Sequence, residues 1–82
     1  MANSFPLTFV SRGDHVTLTD IRAGDKLRQH LGNLGLHIGA RVRIVQTDSA
    51  DGLILAVKND VRLALARATA QKIMVSPVEG GV

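Results

Sequence analysis

Apolar residues recur along this chain mostly at every second position, and in one stretch at helical spacing. Leu7 to Val10 is a short apolar segment that stops at Ser11-Arg12-Gly13-Asp14, a turn signal. From His15 to Arg22 the pattern alternates, with Val16, Leu18 and Ile21 as the apolar positions. Asp20 interrupts the alternation, which predicts a bulge or bend near the end of that strand. Leu27, Leu31 and Leu34 then fall at i, i+4 and i+7, one stripe of a helix. Gly24-Asp25 offers an N-cap, because a carboxylate there can accept the free amide hydrogens of the first turn. Gly35 is expected to stop the helix in the left-handed conformation, with Leu36 packing back on Leu31 as in a Schellman motif. Gly32 is unusual within a helix. It implies either a close backbone neighbour or a short, loose helix.

The second half reads as strands. Ala40, Val42 and Ile44 alternate with Arg41, Arg43 and Val45, so one face is apolar and the other basic. Residues 47–52 contain Asp48, Ser49, Asp51 and Gly52 and predict a turn. Residues 53–57 and 61–66 then form a hairpin whose register follows from hydrophobicity. A three-residue loop at 58–60 sets Val57 opposite Val61, Leu55 opposite Leu63 and Leu53 opposite Leu65. A two-residue loop would put Arg62 beside Val57, so the longer loop is favoured. The outer face of the hairpin then carries Ile54, Ala56, Ala64 and Ala66. A short helical turn at 69–71 and a last strand at 72–75, ending before Pro77, complete the pattern. Mainly β structure with one short inserted helix fits a small, partly open barrel. The domain is expected to span residues 7–76, with flexible ends at 1–6 and 77–82.

An 82-residue chain has room for one domain with one modest core. It has no cysteine, which removes disulfides, thiolate metal sites and thiol nucleophiles together. The longest apolar run, Leu53 to Val57, is far below the roughly 20 residues that span a bilayer. With no signal-peptide pattern at Met1 to Pro6, the expected location is the cytoplasm. The formal charge is +3, and the segment 25–43 accounts for all of it through Lys26, Arg28, Arg41 and Arg43 against Asp25. Such a surface suits an acidic protein surface, an anionic lipid or nucleic acid. Nucleic acid is the least favoured, because only Phe5 and Phe9 are aromatic and base stacking needs such rings. The same shortage removes an aromatic groove for proline-rich peptides.

His15, His30 and His37 show neither i, i+4 nor alternate-residue spacing, and no carboxylate pair accompanies them. No metal site and no cofactor is therefore expected. No nucleophile-and-base set and no phosphate-cradling loop is present, so the chain reads as a binding module rather than an enzyme.

The run Leu31-Gly32-Asn33-Leu34-Gly35-Leu36-His37-Ile38-Gly39, followed by Val42-Arg43-Ile44, resembles the leucine-glycine-leucine segment of the FeoA family. Ile54-Leu55-Ala56-Val57, Arg62 to Ala66, and then Ala70, Ile73 and Val75 resemble that family's second half, and Gly13 and Gly24 sit where its pattern has glycines. The likeness covers residues 7–75 and is carried by the ordered set rather than by any single motif. It implies an SH3-like barrel of about five strands with a helix inserted after the first long one. It also implies a small cytoplasmic accessory of FeoB, a ferrous iron transporter with a cytosolic guanine-nucleotide-binding domain. Similar barrels occur as C-terminal domains of metal-dependent repressors. The chain departs from the pattern at Gln29-His30, where a basic residue is frequent, and at Thr47-Asp48-Ser49, where a proline-rich turn is frequent.

Two docking surfaces are expected from these readings. One is the helix and following turn, with Arg28, His30, Leu36 and His37, shaped by the turn glycines Gly35 and Gly39. The other is the hairpin face around Ile54 and Ala56, which also permits weak self-association. A FeoB-binding accessory and a nucleic-acid-binding or regulatory barrel using Arg41 and Arg43 both remain open functions.

Overall fold

The computed structural model describes residues 4–49, 52–58 and 61–78. Six antiparallel strands lie in the order β1-β6-β2-β3-β4-β5, an open sheet whose first and last strands do not pair. The strands are β1 (Phe5–Pro6), β2 (His15–Ile21), β3 (Arg41–Ser49), β4 (Gly52–Ala56), β5 (Arg62–Leu65) and β6 (Ile73–Pro77). Helix α1 (Asp25–Asn33) follows β2, a four-residue helix α2 (Arg67–Ala70) precedes β6, and a 3-10 turn covers Leu7–Phe9.

In β2 the alternation puts Val16 and Leu18 into the core, and the bulge expected from Asp20 is present. Leu18 pairs with Val75 and Asp20 with Met74, so Thr19 is the extra residue. The insertion turns Ile21 inward and leaves Asp20 exposed, which keeps the carboxylate out of the core. The Ile21 amide donates to Asp20 Oδ1 at 2.8 Å. The hairpin of β4 and β5 also has the expected register, with Leu53 opposite Leu65 and Leu55 opposite Leu63. The Val57 amide donates to the Val61 carbonyl at 2.8 Å, while Asn59 and Asp60 lie outside the described residues. Leu7, Leu18, Leu31, Leu36, Ile44, Leu55 and Ile73 are the largest fully buried side chains.

Several boundaries differ from the sequence reading. Phe5–Pro6, expected to be part of a flexible start, forms β1 and pairs with Met74 and Val75 of β6. The last strand runs through Pro77, which lies opposite Val16. The turn expected at 47–52 is narrower, because β3 continues to Ser49 and Ser49 pairs with Gly52. Ala50 and Asp51, between them, lie outside the described residues, as do 1–3 and 79–82. Gly52 has φ 112°, and a Cβ there would overlap the Leu65 carbonyl oxygen. Only glycine lets the start of β4 approach β5 this closely. The short helix begins at Arg67 rather than at Thr69.

Candidate functional site

Helix α1 begins at Gly24, which caps it without any side-chain hydrogen bond, so Asp25 sits in the first turn instead of capping it. Leu31 is buried and Leu27 is partly buried against the core, whereas Leu34 is 37% exposed. Leu34 is the C-cap, one step past the last helical residue, and the chain turns there. Gly35 follows with φ 93°. The Leu36 amide donates to the Leu31 carbonyl at 2.8 Å, and the Gly35 amide to the Gly32 carbonyl at 3.0 Å. These two bonds make the full Schellman motif. The chain then passes His37 and Ile38 to a second positive-φ turn at Gly39, whose amide donates to the Leu18 carbonyl at 2.8 Å. The segment between helix and β3 is thus tied down at both ends. His37 Nδ1 lies 3.2 Å from the Ile38 carbonyl oxygen, which accepts a hydrogen bond when that nitrogen carries the proton.

Of the residues expected to dock a partner, Arg28, His30 and His37 are exposed on this segment. Leu36 is not. It is 0% exposed and belongs to the core, because the Schellman geometry aims C″ back over the helix. The exposed apolar residues beside the basic ones are Leu34 and Ile38 instead, the latter 53% exposed. Their exposure was not legible from periodicity, since both sit where the helical pattern has just ended.

The hairpin face changes as well. Ile54 is half-buried, between Gln46 of β3 and Ala64 of β5. Ala56 lies opposite Arg43 on one side and Arg62 on the other, and is buried. A methyl group between two long side chains is covered by their aliphatic stems. Ala56 therefore offers no docking surface, and the hairpin face is crossed by arginines rather than continuously apolar. His15 also lies opposite Arg43, so the row His15, Arg43, Ala56, Arg62 crosses four strands.

A cleft of about 450 Å³ opens between the turn and the sheet, lined by Gly35, His37, Ala40, Arg41 and Lys58. The sequence pattern puts Arg41 on a basic strand face and Lys58 in the hairpin loop. Nothing local signals that the two meet. Among the described residues, no group of three or more His, Asp or Glu side chains converges as a metal site would require. No helix among them is long and apolar enough to cross a membrane.

Comparison with known proteins accords with this architecture. The FeoA domain family matches residues 5–77. A Methanocaldococcus jannaschii protein named as an Fe(2+) transport protein A is 31% identical over 77 residues, covering 94% of this chain and 92% of its own. The crystal structure of an iron uptake regulatory protein (FeoA) superposes with a TM-score of 0.83 at 28% identity, covering 93% of this chain and all of that one. A manganese-dependent transcriptional repressor also superposes, with a TM-score of 0.83 over 95% of this chain and 38% of its own. At 20% identity that likeness is one of fold alone. Strand order, inserted helix and Schellman stop, together with a match across residues 5–77, place the chain in the FeoA family as an SH3-like β domain.

Proposed function

We propose that this protein is a non-catalytic accessory of ferrous iron transport that acts in the cytoplasm by docking on the FeoB transporter. Family membership over nearly the whole chain is the observation that carries the reading. The surface supports it: α1, the turn after it and the start of β3 present exposed Arg28, His30, His37 and Arg41, and the same stretch exposes Leu34 and Ile38. A basic rim around apolar residues suits attraction followed by desolvation of a protein partner. It does not suit nucleic acid, because the one strongly exposed aromatic among the described residues is Phe9, outside this segment. The test is binding of the full chain to the cytosolic region of FeoB at several salt concentrations. Arg28→Glu is expected to weaken binding by about 3- to 10-fold, mainly through the association rate, with an unchanged circular dichroism spectrum. Failure of the wild-type chain to bind FeoB under any salt condition would remove the reading.

A further inference from the structure

The cleft between the turn and the sheet brings together the cations Arg41 and Lys58, with His37 beside them. Among the described residues its lining includes no carboxylate. The register explains how the two cations meet. Arg43 lies opposite Ala56 in the antiparallel pair β3–β4. Arg41 opens β3 and Lys58 lies two residues past the end of β4, so both stand at the same end of that antiparallel pair. Two like charges brought near one another repel. Neither side chain has a hydrogen-bond or ion-pair partner among the described residues. The cleft thus gathers two cations on its lining, and an anion between them would convert repulsion into attraction.

The other wall is rigid for reasons already given. Leu36 is anchored in the core, the Gly39 amide is bonded to Leu18, and the Ala40 amide donates to the His37 carbonyl at 3.0 Å. A site built this way loses little conformational freedom when filled. Ile38 and Leu34 are exposed and adjoin His37 and Gly35 in the chain, so aliphatic surface lies on the same segment as that wall. Neither phenylalanine lines the cleft, so no ring is available for base stacking.

We propose that the cleft receives an acidic segment of a partner protein. An aspartate or glutamate carboxylate lies between Arg41 and Lys58, and a neighbouring aliphatic side chain rests on Leu34 and Ile38. The inference builds on the docking reading above and specifies the chemistry of the partner.

The probe is a blocked pentapeptide of alternating glutamate and leucine, titrated into the full-length ¹⁵N-labelled chain and followed by amide chemical shifts. Saturable shifts at Gly35, His37 and Ala40 are expected. The same peptide with glutamine for glutamate is expected to bind at least about tenfold more weakly. So is the wild-type peptide to the Arg41→Glu/Lys58→Glu double variant, with its fold verified by circular dichroism. Equal binding by the glutamine peptide, or undiminished binding by the double variant, overturns the proposal. So does binding of inorganic phosphate or a single-stranded oligonucleotide as tight as that of the acidic peptide. The cytosolic region of FeoB separates the two levels of the argument. If it binds wild type and double variant alike, the cleft is wrong and the docking reading stands. If it binds neither while the peptide occupies the cleft, the docking reading fails and the acidic-segment site stands.

Discussion

Gly32 and Gly35 lie three residues apart and place opposite demands on substitution. Gly35 adopts φ 93°, a region in which a β-branched side chain is badly strained, although a Cβ there would meet no other atom within 4 Å. The cost of replacing it is therefore one of backbone conformation, not of space. Gly32 has ordinary helical geometry and is equally open around its missing Cβ, so among the described residues it has no close neighbour. Gly35→Val is expected to destabilise the domain by about 1–2 kcal/mol or more, and Gly32→Ala to stabilise it by about 0.5–1 kcal/mol. In a domain of this size each kcal/mol moves the melting temperature by about 4–8 °C. Thermal unfolding of the two variants side by side reads both signs. Melting of Gly35→Val at the wild-type temperature would contradict the Schellman stop.

At the scale of elements, the segment joining α1 to β3 does two jobs with different residues. Leu36 fastens it to the core, and its neighbours His37 and Ile38 face outward. Leu36→Ala is accordingly expected to behave as a core truncation, costing about 2–5 kcal/mol. Chemical denaturation is the measurement. A variant that kept full stability and lost only partner binding would mean that Leu36 is a surface residue after all. The β4–β5 hairpin divides its labour across its faces: Leu53, Leu55 and Leu65 fill the core, and Ile54 with Ala64 forms a small outer patch bordered by the Arg43–Ala56–Arg62 row.

For the molecule as a whole, the two ends of the described chain are joined in one sheet. Phe5 and Pro6 pair with Val75 and Met74, Phe5 packs against the core, and β6 continues onto β2. Removing residues 1–6 is expected to lower stability by about 1–3 kcal/mol, since Phe5 loses its burial and β6 one pairing edge. The truncated chain should melt lower yet retain its β spectrum. An unchanged melting temperature would show that β1 contributes nothing. The exposed cations Arg28, Arg41, Lys58 and Arg62 come from α1, β3 and the hairpin, so the basic surface belongs to the whole molecule rather than to the 25–43 segment alone.

By itself the sequence determined whatever depends on neighbours along the chain. Alternation places Val16 and Leu18, the interruption at Asp20 marks the bulge, Gly35 with Leu36 sets the helix stop, and hydrophobic matching chooses the hairpin register. Each rests on backbone sterics or on pairing across a short loop, where few alternatives compete. The tertiary structure alone decided which of those residues are reachable. Leu36 disappears beneath the helix end, Ala56 is buried between two neighbouring strands, and Phe5–Pro6 gains strand structure from β6, far along the chain. Arg41 and Lys58 line one cleft because the start of β3 and the end of β4 lie at the same end of their antiparallel pair, and the turn after α1 supplies its second wall. Exposure and the meeting of charges are properties of what lies opposite a residue in space, and periodicity along the chain carries no information about that.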